Sequence, residues 1–429
     1  MQEEEYWALK SRLNTATFGD RNASFFHLST IVRRQRNKIR CLKDVEGNWM
    51  TNEVEIKEYI RNGFKKLYMT DLNMSSMTSD VSSFSCCFLE EEDRVRMDGD
   101  VTEEEVRAGL WTFKPFKAPG PDGLHAGFYQ RFWMVVKNSV FNEVKGIFEK
   151  GCVPGYLNET LISLIPKCQN PETLNNYRPI SLCNSVYKIV SKILVARIRP
   201  LLSSLISPVQ TAFVPDRRCR NNVLIAQELF HALDKRKGRM GFMAVKLDLE
   251  KAYDRLEWCF IHKVLQAFHF PPKISKLIMS CVTSSSTSIL INGGALERFE
   301  PSRGIRQGDP LSPYPFILCM EYLGHLIEQK CVAGDWTPLK ASKDNVGISH
   351  LFFADDIILF SKADRRGCEA ISEVLEKFCR ESGQKISSDK SRIYFSSNVS
   401  DELKEEICDR LGFWETNNIG KFLGFPLKH

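Results

Sequence analysis

Two apolar runs, His350 to Phe353 and Ile357 to Phe360, flank Ala354-Asp355-Asp356. Each run is about strand length, so the pattern predicts a hairpin with two carboxylates at its tip. Phe242 to Leu247 reads as a strand with Asp248 at its far end. Its alternation puts Ala244, Lys246 and Asp248 on one face and Met243, Val245 and Leu247 on the other. Asn292-Gly293-Gly294 is a turn signal between the runs Ser288–Ile291 and Ala295–Phe299, and Ile393 to Phe395 reads as a further short strand. Elsewhere the spacing is helical. Val186, Ile189, Val190, Ile193, Leu194 and Ile198 recur on one face, with Lys188, Lys192 and Arg197 opposite and Pro200 at the end. Val223 to Leu233 predicts another helix, and Ile371, Val374, Leu375 and Phe378 one that Gly383 stops. Thr102 with Glu105 predicts a capping box before a helix through Val106, Leu110 and Phe113. Ser312 as cap and Pro313 at the first position open a helix whose buried face is Leu311, Phe316, Ile317, Met320, Leu323 and Ile327.

The segments between these elements carry charge and turn chemistry. Residues 10 to 43 hold Lys10, Arg12, Arg21, Arg33, Arg34, Arg36, Lys38, Arg40 and Lys43 against one acid, Asp20. Phe18, Phe25, Phe26 and His27 are interleaved with them. Basic groups among aromatic rings suit a nucleic-acid strand. The alternative is a solvated helix face with Phe25 and Phe26 in the core. Arg33 to Lys38 also fits a nuclear-import patch. Residues 69 to 100 are rich first in Met and Ser, then in acids, and read as a linker or surface segment. Lys114 to Gly123 has three prolines and two glycines, which makes a rigid loop. Pro301 to Pro310 is Gly-rich and basic, a loop suited to close approach of a phosphate at a helix start.

Composition changes this picture little. The 429 residues are enough for two or three domains. Apolar content of 43% and charged content of 26% are ordinary for a soluble chain, and the net charge of +6 suits a polyanionic partner. There is no apolar run of membrane-spanning length and no signal-peptide core after Met1. The 14 cysteines show no Cys-x-x-Cys spacing, so reduced thiols in an intracellular protein are expected rather than a zinc site. The acidic pair is the exception to this ordinary picture. Adjacent carboxylates repel and raise the pKa of one of them. A metal cation would relieve that conflict, although a lone Asp-Asp also fits a solvated turn. The alternative for Asp248 is a helix cap.

Four motifs in order decide between these alternatives. They are Tyr177-Arg178-Pro179-Ile180-Ser181-Leu182, Lys246-Leu247-Asp248-Leu249-Glu250-Lys251-Ala252-Tyr253-Asp254, Arg303-Gly304-Ile305-Arg306-Gln307-Gly308-Asp309-Pro310-Leu311-Ser312-Pro313, and Phe353-Ala354-Asp355-Asp356. Together they resemble the reverse transcriptase of LINE-type (non-LTR) retrotransposons, most like those of plants. Lys117 to Gly123, the basic N-terminal segment and Phe422-Leu423-Gly424 resemble it too. The fold implied is α+β, a right-hand polymerase of fingers and palm with an antiparallel palm sheet flanked by helices and the thumb largely missing. Residues 1–68 would be a basic N-terminal extension, 69–100 a linker, 101–240 fingers and 241–395 palm. Residues 396–429 would be the primer-grip region and the start of a truncated thumb.

The resemblance implies RNA-directed DNA polymerase activity with RNA template, DNA primer and dNTPs as partners, in nucleus or cytoplasm and without a membrane. It implies that Asp248, Asp355 and Asp356 form one cluster holding two Mg2+ ions, or Mn2+. Lys390 would stand near the pyrophosphate as a proton donor. Arg178, Tyr253, Gln307 and Gly308 would bind the nucleotide. Arg33, Arg34, Arg36, Lys38, Phe422 and Gly424 would hold nucleic acid. Ser387 stands where relatives often have asparagine, Asn221 where they often have aspartate, and Asn14 to Gly19 lacks an expected Trp-Leu. The competing expectations are a catalytically silent remnant that only binds nucleic acid, and an intron maturase, whose appended domain is not evident.

Overall fold

The computed structural model describes residues 23–71, 87–342 and 344–427, with the side chains of residues 23 to 27 left aside. The strands in chain order begin with β1 (Leu42–Lys43), β2 (Trp49–Met50), β3 (Thr160–Pro166) and β4 (Tyr177–Cys183). Then come β5 (Phe242–Asp248), β6 (Thr287–Ile291), β7 (Gly294–Ala295), β8 (His350–Phe353) and β9 (Asp356–Lys362). The last are β10 (Arg392–Phe395), β11 (Trp414–Glu415), β12 (Lys421–Phe422) and β13 (Phe425–Pro426).

β5 lies in the middle of a five-stranded sheet of order β11-β10-β5-β9-β8. Its predicted alternation is what lets it serve two cores at once. Met243, Val245 and Leu247 face the main core, with helices Trp258–Ala267, Pro313–Val332 and Arg365–Ser382. Phe242 and Ala244 face a second cluster, where helix Cys219–Asp234 supplies Val223, Ala226, Leu229, Phe230 and Leu233. Burial of each large apolar side chain contributes roughly 1.5–3 kcal/mol, so a strand buried on both faces is firmly placed. Asp248 is its last residue, carried beyond the apolar filling to the end of the strand.

A second sheet has the order β4-β3-β6-β7. The predicted Asn292-Gly293 turn joins β6 to β7, both residues having positive φ (51° and 95°). Asn292 also exchanges hydrogen bonds with the backbone of Ile39, at 3.0 and 2.9 Å. One sheet face is covered by Ile39, Leu42 and the helix Glu53–Leu67 through Ile56, Ile60 and Phe64. Residues 39–68 are therefore part of a core rather than an appended basic extension.

Two further expectations are corrected. Within 69–100, residues 91–98 form a helix instead of linker, with Leu89 and Met97 buried. The Met/Ser-rich stretch 72–86 lies outside the described residues. Ser312 does not cap its helix. Its backbone is already helical, its side chain makes no cap bond, and Leu311 N donates to Asp309 Oδ1 at 3.0 Å instead. Prolines at 313 and 315 have no N–H to satisfy there. That helix is buried on nearly all sides, beyond its predicted face, because it runs between the sheet and other helices. The Thr102–Glu105 capping box forms as expected. Among the described residues no helix is long and apolar enough to cross a membrane.

Candidate active site

The β8–β9 hairpin turns on Ala354 and Asp355, so Asp356 is the first residue of β9 rather than part of the turn. Ala354 has φ 54°, a left-handed conformation that costs on the order of 1 kcal/mol for a residue with a Cβ. The structure offsets that cost from behind. Gln210, fully buried, accepts from Ala354 N at 3.2 Å, and Asn222 Nδ2 donates to Phe352 O at 2.9 Å. The tip is thus fixed before any ligand arrives.

β5 pairs with β9 in a register that sets Asp248 opposite Asp356. Opposite residues of adjacent strands share a face. Asp248 and Asp355 both line a cleft of about 980 Å3. Burial, then the charge of Asp248, pushes the Asp355 carboxyl above its usual range, with Arg178 opposing. Asp356 is pushed up by burial, Asp355 and Asp248, with Lys246 opposing. The three acids therefore feel one another's charge. They do not form the expected compact cluster: among the described residues no three His, Cys, Asp or Glu side chains are placed to hold an ion between them. Hard carboxylate oxygens whose protonation is favoured by uncompensated negative charge are nevertheless the donor chemistry that suits a divalent cation.

Cations occupy the same cleft. Arg178 on β4 is exposed, and Lys390 Nζ lies 3.5 Å from Asp248 Oδ1. The turn that carries Lys390 is tied to β5: Ser387 N donates to Asp248 O at 2.9 Å and Ser391 Oγ accepts from Asp248 N at 3.2 Å. Lys167, which the sequence reading missed, lines this cleft just past β3. Burial, then Lys390 and Arg178, pushes its pKa down. No local sequence signal marks it: the pairing of Pro166 with Tyr177 brings it beside the Tyr177-Arg178 motif. Tyr253 is stacked on Phe316 with ring centroids 4.7 Å apart. Burial and the charge of Asp355 push its hydroxyl well above the ordinary range.

The Gly-rich loop is built differently from its sequence impression. Arg303 is 4% exposed and donates to Leu67 O and Asp71, while Arg306 bonds Asn158, Cys281 O and Asp309. Both charges face inward, so the loop presents Gln307 and Gly308 to the cleft instead. Gly308 has φ 101° and passes Ser181 O so closely that a Cβ would lie 3.3 Å from it.

One nucleic-acid assignment needs revision. β12 and β13 do form a hairpin, turning on Leu423 and Gly424 at φ 52° and 84°. Phe422, however, is 1% exposed and sits in the second core. Its ring holds the hairpin down, leaving Gly424 and Phe425 exposed. In the helix Ala23–Asn37, Arg33 is half-buried, and Arg34 and Arg36 are exposed, as is Lys38 just beyond it. The end of this segment is anchored at the β6–β7 turn. Asn14 to Gly19 lies outside the described residues.

The sequence that builds this cleft has relatives among known proteins. Residues 165–427 match the reverse transcriptase (RNA-dependent DNA polymerase) family, and the chain belongs to that family. Over 419 residues it is 27% identical to the "Transposon TX1 uncharacterized 149 kDa protein" of Xenopus laevis, covering 98% of this chain and 31% of that protein. It is 25% identical over 362 residues to a retrovirus-related Pol polyprotein from a type-2 retrotransposable element of Drosophila melanogaster, covering 84% of this chain and 32% of that protein. An uncharacterized mitochondrial protein of Arabidopsis thaliana is 48% identical over 67 residues, which is 16% of this chain and 55% of that protein. The chain spans about a third of the length of the first two. The resemblance to reverse transcriptases of non-LTR retrotransposons is borne out.

Proposed function

We propose that this chain is the RNA-directed DNA polymerase of a non-LTR retrotransposon and adds deoxynucleotides to a primer 3′-hydroxyl. One observation carries the proposal. Asp248 and Asp355 line the same cleft as Lys167, Arg178 and Lys390. A substrate with a polyanionic tail and a reactive end needs both signs of charge in one site. A lone phosphate-binding groove would need only the cations.

Asp248 and Asp355, with Asp356 in support, would hold divalent metal, which we take to be two Mg2+ ions or Mn2+. When bound, these ions stabilise charge on the attacking and leaving oxygens of an in-line displacement. The protein's own residues do the rest. Lys167 and Arg178 attract and orient a triphosphate. Lys390, 70% exposed and only loosely paired with Asp248, would serve as the proton donor to the departing pyrophosphate. Tyr253, its ring fixed against Phe316, offers a flat surface under a sugar. Residues 101–240 would serve as fingers, 241–395 as palm and the β12–β13 hairpin as primer grip.

Primer extension on RNA and DNA templates tests this directly. Extension on RNA is expected. No extension on either template, with folded protein, would leave only the silent-remnant alternative, against which the intact acids weigh.

The basic segment gives a second expected result. Replacing Arg34, Arg36 and Lys38 with Ala should flatten the salt dependence of RNA binding by about 2 units, at roughly 0.7 per phosphate contact on a single strand. The loss should be alike for all sequences. An unchanged slope would return these side chains to a solvated face.

A further inference from the structure

Tyr68 follows the helix Glu53–Leu67, far upstream of residue 165, where the family match begins. Its hydroxyl nevertheless donates to Asp254 Oδ1 at 2.9 Å, inside the protein. Its carbonyl accepts from Ser302 N at 2.8 Å and Arg303 N at 3.1 Å, and its ring is stacked between Phe64 and Phe299. Asp254 in turn accepts from Gln307 Nε2 on both oxygens, at 3.2 and 3.1 Å. Ser181 N donates to Gln307 O at 2.7 Å, so the main chain of Gln307 is held as well. Gln307 lines the cleft with Asp248 and Asp355.

An ionised carboxylate only accepts. It therefore draws the amide NH2 of Gln307 inward and leaves Oε1 as the atom available to a ligand. A protonated Asp254 could instead donate to Oε1 and reverse the amide. Burial pushes the Asp254 carboxyl up, and the Tyr68 hydroxyl, Lys251, Gln307 and Lys167 oppose it by favouring the carboxylate. We propose that Tyr68 is a positioning residue of the nucleotide site. By holding Asp254 as an acceptor, it fixes which end of the Gln307 amide meets the nucleotide. Residues outside the matched family region thus complete the site. This inference rests on the cleft being the nucleotide site.

Tyr68→Phe keeps the ring and removes only the donor. In primer extension on RNA, it should raise KM for dNTP about tenfold while kcat changes less. Gln307→Ala should raise KM by a similar factor, and adding Tyr68→Phe to it should change nothing further. An unchanged KM in Tyr68→Phe, or additive effects in the double variant, overturns the proposal. A second measurement needs no activity. The infrared carboxyl band that Asp254→Asn removes should titrate about one unit higher in Tyr68→Phe, because the hydrogen bond favours the ionised form. An unmoved titration overturns the proposal even if the wild type extends no primer, whereas that inactivity alone would refute the polymerase function.

Discussion

Asp355→Asn should end primer extension, lowering the rate of nucleotide addition by at least about 10³-fold. The side chain keeps its shape and loses its charge. If Asp355 holds a catalytic cation, several kcal/mol of transition-state stabilisation go with that charge, and each 1.36 kcal/mol is tenfold in rate. Asp248→Asn should behave alike, since both line the cleft. Asp356, which does not line it, should be more tolerant of the same change. None of the three should lower the thermal midpoint. Burial and mutual repulsion already push the Asp355 and Asp356 carboxyls upward, so neutralising one relieves a conflict. RNA binding should persist, because the cations of the cleft, Lys167, Arg178 and Lys390, are untouched. Single-nucleotide addition and a melting curve suffice for the check. Near wild-type addition by Asp355→Asn would remove it from the metal site.

The parts of this site that could be read from sequence are those whose side-chain period is local. Alternation in Phe242 to Asp248 gave both faces of β5, and the apolar flanks of Asp355-Asp356 gave the hairpin. What could not be read depends on partners distant in the chain. Gln210 supports Ala354 from 144 residues away, and no local pattern marks a lone glutamine for that task. Composition counts charges without giving their direction, so the Pro301–Pro310 loop read as basic although Arg303 and Arg306 are consumed in internal hydrogen bonds. A bulky aromatic near a turn can face either way, and Phe422 faces inward because the second core needs its area. The acidic stretch before residue 100 looked like linker because its helix carries little apolar surface, Met97 being the one residue it buries. Lys167 and Tyr68 lie outside the four motifs; strand pairing brings Lys167 to the cleft, and helix packing brings Tyr68 to Asp254 behind it.

Asp254→Asn should separate stability from activity. Asp254 is 1% exposed, and its carboxyl is pushed up to about 6, chiefly by burial, while Tyr68, Lys251, Gln307 and Lys167 draw it down. The ordinary value is 3.8. Because the folded value lies above the unfolded one, the folded state holds the proton more tightly. That contribution to stability is present in full below about pH 4 and is lost as pH rises through 6. A shift of roughly two units corresponds to about 3 kcal/mol. The wild type should therefore lose a few degrees of thermal midpoint between about pH 4 and 7 that Asp254→Asn retains. Glu321, whose carboxyl burial pushes up to about 7, titrates in both proteins and cancels in the difference. Activity should move the other way. Asparagine has one acceptor and one donor end. If its oxygen takes the Tyr68 hydroxyl, its NH2 meets the NH2 of Gln307, and one amide must turn. Turning Gln307 sets a donor where the cleft had an acceptor, and KM for dNTP should rise about tenfold. Parallel pH profiles for the two proteins would show that Asp254 does not titrate in this window. Unchanged KM would show that the amide orientation is irrelevant to nucleotide binding. A variant that is more stable at neutral pH yet binds nucleotide less well would mean that this carboxylate is kept buried at a cost in stability because the site uses it.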